Sequence, residues 1–172
     1  MVQDEARFGR ITRPVCCWAP AGIRPRTPQQ IVRQAIYAFA AVDPQSGKMT
    51  SLILPTANTE MMTIFLSHVS KEFINSFIVM QVDRASWHRS QHLQLPENIR
   101  LIFQPPYSPE TNPVEHLWDE LREKHFSNRI FPSLDTLQEH LCAAINELSQ
   151  NTNKVRSLTY FPHIRVACEK AS

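Results

Sequence analysis

The chain has 172 residues, of which 42% are hydrophobic and 20% charged, with a formal net charge of +2. That length fits one domain with a real core. No run reaches transmembrane length and no signal-peptide core opens the chain, which excludes membrane spanning and predicts a cytoplasmic protein. The cysteines, Cys16, Cys17, Cys142 and Cys168, match neither a CxxC pair nor a zinc-ribbon spacing, so reduced thiols are expected.

In chain order, Val2 to Phe8 reads as a strand and Val15 to Ala19 as a second one. Pro20 to Pro28 is a proline- and arginine-rich loop. Ile36 to Val42 and Met49 to Leu54 are apolar, rich in β-formers and joined by a turn at Asp43 to Lys48, which predicts a hairpin. Thr59 suits the cap of a helix in which Met62, Phe65, Leu66, Val69 and Phe73 recur at helical spacing. The run Phe77 to Val82 predicts a strand buried on both faces, as in parallel sheet. Ile99 to Phe103 is a short strand. Asn112 and Pro113 are a good N-cap and first residue for a helix over Pro113 to Phe126, with Val114, Leu117, Trp118 and Leu121 inward. Ser133 caps a last helix with Leu134, Leu137, Leu141, Ile145 and Leu148 on one face. Beyond Gln150 the pattern fades, so residues 151–172 are expected as a tail, loosely ordered or lying on a partner, after a folded unit over residues 1–150. A hairpin-bearing sheet that becomes parallel and carries helices is α/β.

Charge is unevenly placed. From Met1 to Arg33 six arginines, Arg7, Arg10, Arg13, Arg24, Arg26 and Arg33, face two acids, Asp4 and Glu5. Arginine suits bidentate phosphate contact, although a solvated basic edge reads the same way. Three carboxylates stand out. Asp4 lies on the first strand, Asp83 directly follows a buried strand, and Glu115 sits in the first turn of a helix behind a proline-stiffened lead-in. Each has a plainer use. Asn112-x-x-Glu115 loosely fits a capping box, Asp83 suits the cap of a helix starting near Ala85, and Asp4 suits a surface acid. Glu5 should point to the opposite sheet face from Asp4 and receives no role. His88 and His92 have zincin spacing, but Arg89 stands where the glutamate is required. Trp87 and Trp118 read as core residues.

The segments Asp4-Glu5-Ala6-Arg7-Phe8-Gly9, Val82-Asp83-Arg84-Ala85-Ser86-Trp87-His88 and Pro105 to Trp118 together resemble the three signature segments of DDE transposases, in the bacterial insertion-sequence branch related to mariner elements. The resemblance covers Asp4 to about Leu148. It implies a ribonuclease-H-like fold, a mixed five-stranded sheet flanked by helices. It also implies that Asp4, Asp83 and Glu115 are the catalytic, metal-binding carboxylates for two Mg²⁺ or Mn²⁺ ions. The reaction implied is phosphodiester hydrolysis and strand transfer at element ends, in the bacterial cytoplasm at the nucleoid. Arg7, Arg10, Arg13, Arg24, Arg26, Arg84 and His88 are the expected DNA contacts, His88 on phosphate or water if it is not simply a surface residue. Two positions depart from the family pattern. Arg84 replaces a small or amide residue and Thr111 replaces leucine.

The partners expected are the element's terminal repeats, target DNA, and a homodimer mate or a separately encoded helix-turn-helix subunit. That last expectation follows because such modules, usual before the catalytic segment, do not precede Asp4 here. The alternatives are an inactive or split remnant that binds DNA or a subunit without catalysis, and a nuclease without strand transfer. With only Val2 and Gln3 leading into Asp4 after the initiator, the first strand is expected to fray.

Overall fold

The computed structural model describes residues 1–12, 14–106, 108, 111–162 and 164–166. Its elements run β1 (Val2–Ile11), β2 (Ile31–Val42), β3 (Met49–Leu54), α1 (Thr59–Glu72), β4 (Ile78–Val82), β5 (Ile99–Phe103), α2 (Val114–Leu121), α3 (Leu134–Gln150) and α4 (Thr152–Thr159). They build a mixed sheet of five strands in the order β3-β2-β1-β4-β5. The β1–β2 and β2–β3 pairs are antiparallel, and β1–β4 and β4–β5 are parallel. Among the described residues no helix is long and apolar enough to cross a membrane.

Alternation along β1 sends Val2, Ala6 and Phe8 to one sheet face, where α2 and α3 cover them with Leu117, Trp118, Leu121, Leu137 and Leu141. On the other face α1 lays Met62, Phe65, Leu66 and Val69 over Phe39, Ile78, Met80 and Ile99. Each such large side chain stabilises the fold by about 1.5–3 kcal/mol when fully buried. The caps follow the chemistry of the preceding residues. Ser133 accepts from the Thr136 N–H at 3.0 Å, as expected. At α1 the cap is Asn58 rather than Thr59, because Asn58 is extended and its Oδ1 reaches the Met61 N–H at 2.9 Å.

Several expectations are corrected. β1 does not start frayed. Val2 pairs with Val42 on one side and Gln81 on the other, and the Met1 carbonyl accepts from the Gln81 N–H at 2.9 Å. Val15 to Ala19 forms no strand. Pro14 and Pro20 bracket it, and Trp18 is 100% exposed. β4 is buried on one face only, with Val79 48% exposed, because α2 and α3 pack over β1, β2 and β3 and leave that face of β4 and β5 open. The helix after Pro113 starts at Val114, and past Leu121 it widens into a π-helical turn over Arg122–Phe126. The wider turn lets Phe126 meet Phe8 and Phe131, at ring-centroid distances of 5.0 and 5.5 Å.

Between β1 and β2 an exposed arm leaves the sheet and returns. Its base is held by Asn128, a left-handed residue (φ 55°). The Asn128 Oδ1 accepts from the Val15 N–H at 3.0 Å and its Nδ2 donates to the Val15 carbonyl at 3.1 Å.

The expected loose tail is also corrected for residues 152–159. They form α4, whose Val155 and Thr159 are both 0% exposed, with Asn151 capping the Lys154 N–H at 3.0 Å. Two buried positions in eight residues are too few to show as a periodic pattern. The β2–β3 turn packs against the start of this helix. Gly47 has φ 73°, and a Cβ there would fall on the Thr152 carbonyl oxygen. Gly47→Ala is therefore expected to lower the unfolding free energy by about 2–4 kcal/mol in urea titrations. Gly22, at φ 83° but with open space around it, is the control; Gly22→Ala should cost about 1–2 kcal/mol from backbone strain alone.

Candidate active site

Parallel pairing of β1 with β4 sets the site. Val2 stands opposite Gln81, so two residues further along each strand Asp4 and Asp83 come level. Glu115 reaches the same place from the first turn of α2. Asp4, Asp83, Arg84, Gln104, Asn112 and Glu115 line one cavity of about 420 Å³. Asn112 holds the helix start by accepting from the Val114 N–H at 3.1 Å. The capping-box use of Glu115 is not seen: among the described residues its exposed carboxylate takes no hydrogen bond.

Asp4 is nearly buried, and its Oδ2 accepts from the Trp118 indole N–H at 2.9 Å. Burial, reinforced by the neighbouring Glu115 and Glu5 carboxylates, raises its carboxyl to about 8; the indole bond works against that rise. Asp83 differs. Its Oδ1 accepts from the Ala85 N–H at 2.8 Å and from His88 Nδ1 at 2.7 Å, which leaves Oδ2 turned to no partner within the described chain. The bond from His88 holds this carboxyl below the usual carboxylate range, against its partial burial. The Ala85 contact is the capping use read from the sequence, but it closes a turn and not a helix.

His88 is not a surface residue. Its side chain is 1% exposed, with Asp83 at Nδ1 and Glu5 Oε1 at Nε2, 2.9 Å away. Burial opposes its charge, but the bonds to Asp83 and Glu5 outweigh burial and raise the ring to about 9. With both nitrogens occupied inside the fold, it is not placed to contact DNA, which corrects that expectation. Arg10 is engaged within the fold. Its guanidinium donates to the Phe131 and Pro132 carbonyls and to Gln34 Oε1, at 3.0, 2.6 and 2.6 Å. Arg7, Arg24, Arg26 and Arg84 are exposed. Arg84 lines the cavity and is steadied by its Nε, which donates to the Gln104 carbonyl at 2.9 Å. Arg13 lies outside the described residues.

Sequence reasoning missed the parts played by Glu5 and Trp118. Trp118 lies one helical turn beyond Glu115, a spacing that puts it under the same helix face. Nothing in the sequence marked its N–H as more than core.

The donor set fits a hard divalent cation. It is all oxygen, it is partly desolvated, and the carboxylates raise Asp4 by crowding it with like charge, which a cation relieves. The fit is an open one, since among the described residues no three acidic, histidine or cysteine side chains already converge as a cage.

Comparison with known proteins agrees. The chain belongs to the DDE superfamily endonuclease family, whose model matches residues 1–138. A relative described as uncharacterized protein y4pE/y4sA, from Sinorhizobium fredii (strain NBRC 101917 / NGR234), is 41% identical over 123 residues, covering 71% of this chain and 91% of that protein. Among solved structures, the Mos1 transposase paired-end complex with left transposon end matches with a TM-score of 0.61 at 14% identity, over 93% of this chain and 55% of that one. A Mos1 mariner paired-end complex with Mn matches likewise, with a TM-score of 0.61 at 15% identity over 93% of this chain and 55% of that one. The fold is therefore the ribonuclease-H-like fold seen in that transposase, and the chain spans little more than half the length of those neighbours.

The raised Asp4 carboxyl gives a signed pH dependence. The folded state holds a proton on Asp4 that the unfolded chain releases near the ordinary aspartate value of 3.8. The stability tied to Asp4 is thus fully present below that value and is lost as pH rises toward about 8. Asp4→Asn keeps an acceptor for Trp118 and cannot ionise. In chelator-treated protein it should be more stable than the parent at pH 8, with the difference shrinking toward pH 4, as read by urea unfolding.

Proposed function

We propose that the chain is the catalytic domain of a DNA transposase, which hydrolyses a phosphodiester at an element end and then transfers the freed strand to target DNA. The observation that carries this reading is the meeting of Asp4, Asp83 and Glu115, from three separate elements, in one arginine-edged cavity. In this reading the three carboxylates hold Mg²⁺ or Mn²⁺, two ions by resemblance to the family, and Mos1 complexes with Mn and with Mg support that choice. Bound there, the cation supplies Lewis acidity and charge neutralisation to the phosphodiester.

The chain's own residues do the rest. Trp118 and His88 fix Asp4 and Asp83 by N–H donation, so the carboxylates need little reorganisation on binding. Arg84 keeps its terminal nitrogens for a phosphate oxygen while Gln104 holds its Nε. Arg7, Arg24 and Arg26 track the DNA backbone and position it without reading sequence. The catalytic unit takes in α4, since Val155 is buried in the same core as α2 and α3. A homodimer mate or a helix-turn-helix subunit would contribute the element-end readout.

One observation favours a second reading, a DNA- or subunit-binding remnant without catalysis: the site carries the Arg84 cation at its edge. Calorimetric titration with Mn²⁺ and a plasmid-nicking assay separate the two. We expect Mn²⁺ binding that weakens at least about tenfold in Asp83→Asn and Glu115→Gln, with nicking reduced to background. If both variants bind Mn²⁺ as the parent does, the site assignment is wrong; binding without any nicking supports the remnant.

The arginine assignment has its own measure. The double change Arg24→Ala/Arg26→Ala should weaken duplex binding equally across sequences and reduce the slope of log K against log salt by about 2. An unchanged slope removes the arm from the DNA surface.

A further inference from the structure

We infer that Glu5 is a positioning residue for the site: it acts through His88 to hold the Asp83 carboxylate in its ligand orientation. The inference rests on the reading of Asp83 as a metal ligand and goes beyond it, since Glu5 itself faces away from the cavity.

The geometry forms an unbroken line from one strand to the next. Glu5 follows Asp4 on β1, and alternation sends the two carboxylates to opposite faces of the sheet. Asp4 enters the cavity. Glu5 goes under it, where its side chain is only 6% exposed. Its Oε1 accepts from His88 Nε2 at 2.9 Å and from the Trp87 indole N–H at 3.2 Å. The opposite ring nitrogen of His88 donates to Asp83 Oδ1 at 2.7 Å. The imidazole is therefore fixed at both ends, and its orientation is set by Glu5. Rotation of the ring would leave Asp83 Oδ1 held by the Ala85 N–H alone and loosen the direction in which Oδ2 points. The same line joins β1 to the loop after β4, and those are the two segments that carry Asp4 and Asp83. A buried carboxylate has other stable uses, such as a surface-directed ion pair, but among the described residues Glu5 meets no lysine or arginine; its partners Trp87 and His88 belong to the segment that follows Asp83.

This role needs an acceptor at the full reach of the side chain, not a charge. Glu5→Gln keeps a carbonyl oxygen at that reach. Glu5→Asp keeps the charge but withdraws it by one methylene. A purely electrostatic role predicts that aspartate substitutes and glutamine fails, and a positioning role predicts the reverse. Mn²⁺ affinity, measured by electron paramagnetic resonance titration of the whole chain, is the readout, with thermal unfolding beside it. We expect Glu5→Gln to bind Mn²⁺ within about threefold of the parent and Glu5→Asp about tenfold more weakly, the size usual for a group that orients a ligand. Nicking should follow the same order. Asp83→Asn is the reference. If it loses Mn²⁺ while Glu5→Asp binds as the parent does, the positioning role is wrong and the metal site stands. If Glu5→Gln fails and Glu5→Asp substitutes, charge and not reach is what matters, and the inference is overturned. If Asp83→Asn itself binds Mn²⁺ as the parent does, the metal reading falls first, and the inference falls with it.

Discussion

The central place of β1 is the constraint on which the rest depends. It lies third in a five-stranded sheet, with an antiparallel neighbour on one side and a parallel one on the other. That placement encloses its first residues, with Val2 at 5% and Gln3 at 0% exposure. A strand in the middle of a sheet has both edges paired, so its direction and register are fixed twice over. Because side chains alternate strictly, fixing the backbone also fixes which carboxylate enters the cavity and which goes beneath it. Asp4 and Glu5 are adjacent in sequence, yet they work on different faces of one layer.

The electrostatics of the site follow from the same placement. Three acids from three elements are brought near one another with few charges of opposite sign, and the one that is most enclosed, Asp4, takes up a proton more readily than an ordinary aspartate. Asp83, with a histidine behind it, is held ionised. Two carboxylates of one chemistry are thus driven apart by burial on one side and a hydrogen-bond donor on the other. The arrangement is poised for a cation, and it is less comfortable without one.

Much of this was legible in the sequence because it rests on local pattern. The five strands, the turn at Asp43 to Lys48 and the Ser133 cap depend on alternation, turn chemistry and N-cap preference, which neighbouring residues declare. The three carboxylates that line the cavity each had a plainer use by place alone and stood out as a set only through the resemblance of their segments to DDE transposases. What escaped was decided at long range. Val15 to Ala19 has strand composition but found no partner, and β4 lost its second cover because the helices over that face pack on the other strands. Arg10 reads as a free cation until the Phe131 and Pro132 carbonyls come to it from over a hundred residues away. His88 reads as a DNA contact or a surface residue until Glu5 arrives from the first strand. α4 was hidden because a short helix that buries two side chains leaves almost no periodic signal.

The grip of Asn128 on Val15 has a consequence of a different kind. Its two hydrogen bonds copy the pattern of a strand partner, donor and acceptor on one backbone residue, without any strand being present. In conformational-entropy terms the grip does little, because shortening a loop by a few residues changes its closure cost by only a few tenths of a kcal/mol. What it adds is a second footing. The base of the arm is thus tied twice, to the sheet's end by the Thr12 N–H donating to the Gln30 carbonyl at 2.9 Å and to the segment between α2 and α3 by Asn128, and the prolines at 14, 20, 25 and 28 stiffen what lies between. The arm behaves less like a free tether than like a strut, and one of its two footings is a residue that follows α2.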